Sequence, residues 1–345
     1  MSVQYSQKYR GFTLVELLVV IVIIAILVSL SIGGVWMVRL RAIETMTKTQ
    51  MSQMEIALEA YKTEFGEYPP MLSDKAAVNR HANLRWKKAS FPNLPPGTTG
   101  LHDAHEVILD VLGLPQDWDS NPDPDVSALQ DKIAKISHRN AVSLTFWLGG
   151  LYDPAKESYV GFSADLEDPL GNNLVANNQR RFDGQRTGTL FDFSEKNTRA
   201  MTIRKTDRKD IRCFAAYNKP VVYFRGLANG NYGGTTDYDL STSSPSQEYI
   251  YFCELEDRGV AIPYAKKVDT NGIPMTWHGA KKYQLIHPGQ DGSFGDRGFV
   301  PAGVLDLTVP ETFFVGTEPE TNVTYEDQDN IVNFTETTTL KGALK

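Results

Sequence analysis

One ionisable side chain, Glu16, stands inside an otherwise apolar run that extends from Phe12 to Ile32. A carboxylate at the centre of a bilayer costs about 2.5 to 3.5 kcal/mol, so a membrane helix rarely keeps one without a partner. Two chemistries are open to Glu16. It can form an ion pair with a cationic group of another molecule, or, because it lies near one end of the run, its carboxylate can reach the lipid headgroups.

The two cysteines, Cys213 and Cys253, are too few for a disulfide scaffold and too far apart for a compact zinc motif. Both lie in strand-like segments. A disulfide between them would stabilise the fold by about 3 to 4 kcal/mol through chain entropy, whereas strand geometry can equally hold them apart. A disulfide is therefore one of two open alternatives for this pair.

The sequence contains no recognisable catalytic motif. The segment Leu101–Glu106, LHDAHE, lacks the HExxH order of a zinc protease, and the start of a solvated helix explains it better. No GxSxG elbow, phosphate-binding loop or GxGxxG motif occurs. The chain is therefore predicted not to be an enzyme. A net charge of -7 also argues against a surface for nucleic acid, and no nucleic-acid partner is expected.

The apolar run has the length of a membrane-spanning helix, and residues 12–33 are predicted to form one. An ordinary secretory signal has a shorter apolar region of about 7 to 15 residues, which argues against simple removal by signal peptidase. Charge does not decide the orientation, because Lys8 and Arg10 before the run are balanced by Arg39 and Arg41 after it.

The sequence KYRGFTLVELLVVIVIIAIL, from Lys8 onward, resembles the start of type IV prepilins and of type II secretion pseudopilins. The resemblance implies that residues 1–11 are a leader, that prepilin peptidase cuts after Gly11, and that the new amino terminus of Phe12 is methylated. It also implies a single-pass protein of the inner membrane, with the leader in the cytoplasm and the body in the periplasm. For Glu16 it implies an assembly role, in which the carboxylate pairs with the amino group of Phe12 on a neighbouring subunit.

An amphipathic extension of the same helix is predicted over residues 34–66. Its apolar side chains recur at steps of four, three and four and so share one face: Met54, Leu58, Tyr61 and Phe65. Gly66 and Pro69 are expected to end the helix, and the segment Leu58–Pro70 resembles the exit of the pseudopilin helix. The complete helix would be on the order of 80 Å long, which suits the stacking of identical subunits in a fibre.

The remainder of the chain divides into two regions of different pattern. Residues 67–210 are predicted to be a large irregular insertion, in which the clearest helical signals lie at 104–112 and 126–148. Residues 211–345 are predicted to form an antiparallel β region. Three segments of this region have a strand pattern: 220–226, 248–255 and 282–289. The predicted fold class is α+β and pilin-like, with a long N-terminal helix, transmembrane in its first half, packed on a C-terminal antiparallel sheet.

Acidic residues cluster in two segments near the carboxyl terminus, HPGQDGSFGDRG and YEDQDNIVNF. In major pseudopilins a loop of similar Gly and Asp content binds calcium, so the resemblance implies calcium as a cofactor. The carboxylates that would supply hard oxygen ligands are Asp291, Asp296, Asp327 and Asp329. The spacing is not that of an EF-hand, and roughly thirty residues separate Asp296 from Asp327. A simple turn at Asp291–Gly292 is the alternative to a calcium site.

The function that the resemblance implies is that of a structural subunit of a type II secretion or type IV pilus-like fibre. The expected partners are copies of the chain itself, related pseudopilins, prepilin peptidase and the inner-membrane assembly platform. Two alternatives stay open. One is a minor or tip subunit that binds secreted cargo, DNA or a surface, and the other is a membrane-anchored enzyme that uses the leader only for export.

Overall fold

A computed structural model gives the fold of the chain. It describes residues 12–87, 90–92, 101–114, 128–171, 184–194, 197–203, 206–235, 248–250, 253–255, 259–268, 274–294 and 329–334. The chain separates into two compact units, Met1–Thr45 and Met46–Lys345, and each is described by itself below. Helix α1, Leu14–Phe65, contributes residues to both units.

Helix α1 begins after Thr13 and ends at Phe65, as the sequence predicts. Its end is set by Gly66, whose φ of 82° is left-handed and whose N–H donates to the carbonyl of Lys62 at 2.8 Å. Among the described residues, no helix combines the length and the hydropathy needed to cross a membrane. Of the span predicted over residues 12–33, the side chains of residues 30–33 lie outside the described set.

The predicted apolar stripe of α1 lies at the centre of the second unit. Met54, Leu58 and Tyr61 are fully buried, Met51 joins them, and Phe65 packs on the same cluster while partly exposed. Burial of one such side chain contributes about 1.5 to 3 kcal/mol, so the stripe holds this part of α1 firmly within its unit. The four side chains predicted to share one face of the helix therefore lie on its core side.

Three further α-helices occur in the described residues, and all lie in the predicted insertion. The helices predicted at residues 104–112 and 126–148 are confirmed, whereas the first of the three was not predicted. In chain order they are α2, Lys75–Trp86, α3, Ala104–Val111, and α4, Ala128–Leu144, which continues into a π-helical turn, Thr145–Gly149.

The LHDAHE segment starts α3, as predicted, but it is less solvated than expected. The carboxylate of Asp103 caps the helix by accepting from the N–H of Glu106 at 2.9 Å. Both acidic side chains also form ion pairs with Lys75, at 2.9 and 3.3 Å. His105 is buried, and its Nε2 donates to the carbonyl of Leu72 at 2.8 Å. This histidine therefore has a structural role.

Most of the described strands are short, and all of them pair in antiparallel fashion. In chain order they are β1 Ser90–Pro92, β2 Leu101–Asp103, β3 Tyr152–Asp153, β4 Ser158–Tyr159, β5 Thr198–Ile203, β6 Thr206–Ala216, β7 Lys219–Pro220, β8 Val222–Arg225, β9 Gly233–Thr235, β10 Glu248–Ile250, β11 Cys253–Leu255, β12 Gly259–Ala261, β13 Ala265–Val268, β14 Pro274–Trp277, β15 Tyr283–His287 and β16 Ile331–Val332. Two sheets have three strands, β5-β6-β7 and β8-β15-β16 with β15 in the centre. The other pairs are β1-β2, β3-β4, β9-β10, β11-β12 and β13-β14.

All three strand-like segments of the sequence contain strands. Segment 220–226 contains β8 and segment 282–289 contains β15, and these two strands pair directly. Segment 248–255 contains β10 and β11, which pair with β9 and β12 instead. The α+β class, with an N-terminal helix followed by antiparallel strands, is therefore confirmed, and the strands are distributed over several small sheets.

The connection between α1 and α2, residues 66–74, is named the exit segment here, and its residues from 68 onward are buried although they are irregular. Side chains of neighbouring elements pair its backbone groups. Tyr223 of β8 donates to the carbonyl of Pro69 at 2.8 Å, and Trp147 of the π-helical turn donates to that of Pro70 at 2.9 Å. Because buried carbonyls need such partners, β8 and the π-helical turn are fixed to the end of α1.

Glu67, in the exit segment, is partly buried and connects α1, α2 and β8 through a network of polar side chains. Its Oε2 accepts from the guanidinium of Arg225 at 2.6 Å, and its Oε1 accepts from Nδ1 of His81 at 2.9 Å. Nε2 of His81 in turn accepts from the hydroxyl of Tyr61 at 2.5 Å. Burial acts to raise the pKa of Glu67, but the hydrogen bond from His81 and the charge of Arg225 together lower it to about 2.

We expect Glu67→Ala to destabilise the protein by about 2 to 4 kcal/mol, because it leaves the buried guanidinium of Arg225 without its carboxylate. Denaturant unfolding of the purified chain measures the loss. Glu64→Ala, which removes an exposed carboxylate from the last turn of α1, is the control and should change stability by less than about 0.5 kcal/mol. Equal stability of the two variants would contradict the role given to Glu67.

His105 makes the fold sensitive to acid. Burial, and then the charge of Arg139, lowers its pKa from 6.5 to about 4. Between these values the unfolded chain binds a proton that the folded chain does not, so stability is complete above the upper value and is lost as pH falls through the window. We expect the thermal unfolding midpoint to decrease by several degrees over this range. His105→Gln, which keeps a donor for Leu72 but does not titrate, should show a shallower decrease, and an unchanged slope would contradict the assignment.

Candidate functional site

The start of α1 is a capping box built from two polar side chains. Thr13 precedes the first helical residue, and its Oγ1 accepts from the N–H of Glu16 at 3.3 Å. In return, Oε2 of Glu16 accepts from the N–H of Thr13 at 2.9 Å and from its hydroxyl at 2.8 Å. Reciprocal bonding of this kind satisfies N–H groups that a helix start leaves unpaired. Glu16 therefore holds the first turn of the helix in place.

The helix that follows presents apolar side chains on every side. Phe12 is 78% exposed and Leu14 is 80% exposed. From Leu17 to Val28, the exposed fraction of each large apolar side chain lies between 47% and 59%. A helix that is apolar all round is of the kind that proteins bury against lipid or against other chains.

The structure locates two of the three residues that the sequence analysis assigns to this end of the chain. Phe12 and Glu16 lie together at the exposed start of α1, and Gly11 lies outside the described residues. The structure adds Thr13, whose bonds to Glu16 were not predicted. The order T-x-x-E in front of an apolar run is typical of a capping box, so the signal for Thr13 was present in the sequence.

Residues 6–32 match a protein-family model described as the prokaryotic N-terminal methylation motif. The chain carries a prepilin-type methylation motif. This finding supports a substrate of prepilin peptidase of the type IV pilin or pseudopilin kind, and to that extent the resemblance seen in the sequence is confirmed. Comparison of the chain with curated proteins and with solved structures gave no match.

The acidic segments predicted to bind calcium are described in part. Asp291 and Asp329 lie next to each other, because Oδ2 of Asp329 accepts from the backbone N–H groups of Gln290 and Asp291, the latter at 3.1 Å. Gly289 passes so close that a Cβ built there would stand 2.3 Å from Cγ of Asp329. Only glycine fits this approach, which brings the turn after β15 against the residue that leads into β16.

The carboxylates predicted as calcium ligands are not all described. Asp296 and Asp327, two of the four predicted ligands, lie outside the described residues. Within the part of the chain that the structure describes, no group of three or more Asp, Glu, His or Cys side chains could hold a metal ion. Oδ1 of Asp291 accepts from the N–H of Ser293 at 2.8 Å, and Gly292 has a left-handed φ of 86°. The turn predicted as the alternative is therefore present.

Of the two alternatives for Cys213 and Cys253, the structure has the one without a disulfide, because both cysteines are free thiols. The thiol of Cys213, in β6, donates to the carbonyl of Arg199 at 3.7 Å. The thiol of Cys253, in β11, donates to the carbonyl of Ser137 at 3.4 Å. Both side chains are buried in different sheets, so strand geometry directs each sulfur to a separate acceptor.

Proposed function

We propose that the chain is a structural subunit of a type II secretion or type IV pilus-like fibre. Prepilin peptidase removes residues 1–11 and methylates Phe12, and the subunit then polymerises through its N-terminal helix. One observation carries the proposal. The methylation motif of residues 6–32 coincides with a helix that is exposed and apolar on every side, and the carboxylate of Glu16 stands at its first turn.

The exposed apolar surface supports two successive environments for this helix. Before assembly, the proposal places it across the inner membrane, with the leader in the cytoplasm and the body in the periplasm. During assembly, the helix leaves the lipid and packs among the helices of copies and related pseudopilins on the assembly platform. Both environments keep its apolar side chains out of water. Each Å² of apolar surface that is removed from water contributes about 25 cal/mol of stabilising free energy.

Glu16 has a geometry that suits recognition of a neighbouring subunit. Its described bonds to Thr13 use Oε2, so Oε1 can accept a further hydrogen bond. Removal of the leader creates an ammonium group at Phe12. A charge-assisted bond from that group of one subunit to Oε1 of another is strong where water is excluded. The capping box therefore fixes the position of the carboxylate before a neighbouring subunit binds.

The mass of the mature protein tests the proposed processing. Membranes and sheared fibres are purified from the native cell, and mass spectrometry identifies the amino-terminal peptide of the chain in each fraction. We expect this peptide to begin at Phe12 and to carry one added methyl group. Mature protein that still contains residues 1–11 would refute the proposal.

Two substitutions at Glu16 separate helix capping from pairing between subunits. Glu16→Gln keeps an oxygen that can accept from Thr13 but removes the charge, whereas Glu16→Ala removes both. We expect both variants to be inserted and cleaved, and to enter fibres about tenfold less well or worse, because the ammonium of the neighbour loses its counter-ion. The yield of sheared fibres, relative to subunit in the membrane, measures this effect.

Glu64→Gln is the control for this series, since it neutralises an exposed carboxylate on the same helix and should assemble normally. Normal assembly of Glu16→Gln together with poor assembly of Glu16→Ala would show that Glu16 acts only as a helix cap. That outcome would contradict the pairing role.

A further inference from the structure

The ammonium of Lys219 lies at the loop formed by residues 288–292 and Asp329. Lys219, in β7, donates from Nζ to the carbonyl of Gly289 at 2.8 Å and to the carbonyl of Gln290 at 2.5 Å. These two carbonyls belong to the turn that follows β15, in the other three-stranded sheet. The ammonium therefore joins the two three-stranded sheets through consecutive backbone oxygens.

The carboxylate of Asp329 lies on the same turn. One of its oxygens accepts from the N–H groups of Gln290 and Asp291, and the other, Oδ1, is buried without a hydrogen-bond partner among the described residues. Burial raises the pKa of Asp329, and the nearby positive charge of Lys219 opposes that rise. The ammonium thus binds two carbonyls, and the carboxylate of Asp329 interacts with it electrostatically from the same turn.

Carbonyl and carboxylate oxygens are the ligands that calcium prefers, at about 2.3 to 2.6 Å. A calcium ion that used the carbonyls of Gly289 and Gln290 would have to displace the ammonium, because the two cations would otherwise repel each other at close range. An ammonium has three donors and no acceptor, so it satisfies several such oxygens at once. In the folded chain these carbonyls are therefore bound by a cation that the chain itself supplies.

We propose that Lys219 is the resident cation of the loop formed by residues 288–292 and Asp329, and that it closes this loop in place of a divalent metal ion. The loop is then stable without calcium, in contrast to what the resemblance to major pseudopilins implies. The inference concerns the body alone, and it does not depend on the proposed role in a fibre.

Thermal unfolding of the purified full-length chain in detergent tests this inference. The chain is heated once with a chelator and once with a millimolar excess of calcium, and we expect the wild-type midpoint to be the same in both. Lys219→Met removes the ammonium but keeps an apolar stem of similar length, and we expect its midpoint in chelator to be lower by about 5 °C. With calcium, the midpoint of this variant should rise, because its carbonyls and carboxylate are then open to the metal.

Lys282→Met is the matched control, because Lys282 is exposed and immediately precedes β15. Its midpoint should stay within about 1 °C of wild type in both solutions. A wild-type midpoint that rises with calcium would overturn the proposal, even if Lys219→Met failed to fold. So would a Lys219→Met variant that is as stable as Lys282→Met, or one that does not respond to calcium.

Discussion

The second unit depends on the pairing of backbone groups in the exit segment. A buried chain without regular structure contains carbonyl and N–H groups that each cost about 1 to 3 kcal/mol if they lose water without gaining a partner. Side chains from α3, α4, the π-helical turn and β8 meet this demand: His105, Ser143, Trp147 and Tyr223. Glu67 adds charged bonds to α2 and β8. The insertion and the β region are therefore built around the end of α1, and the apolar stripe of that helix supplies their common core.

Local patterns in the sequence predicted the elements better than their partners. The end of α1 at Gly66, its buried stripe, α3, α4, β8 and β15 all follow from period and turn signals that lie within a few residues. Helix α2 was missed because its buried face mixes the apolar Val78 and Ala82 with His81, whose ring is polar. Local sequence patterns could not predict how the strands divide into separate sheets, because this division depends on pairings between distant segments such as β8 with β15.

The same distinction applies to the sites. Gly11, Phe12 and Glu16 form one contiguous motif, so a short stretch of sequence was enough to identify them, and Thr13 could have been found by the same means. Lys219 carried no local signal, because its acceptors lie about seventy residues further along the chain. The amino-terminal chemistry is thus encoded locally, whereas the electrostatics of the body arise only when the fold brings separate segments together.

The burial of Cys213 limits the chemical reactivity of its thiol. Burial raises the pKa of its thiol to about 11, and the thiolate is the form that attacks disulfides or reacts with oxidants. Cys213 belongs to the apolar core of the second unit, so its sulfur is shielded only when that core has formed. The folded chain thus keeps this cysteine as an unreactive thiol, and its susceptibility to oxidants is confined to states in which the core is open.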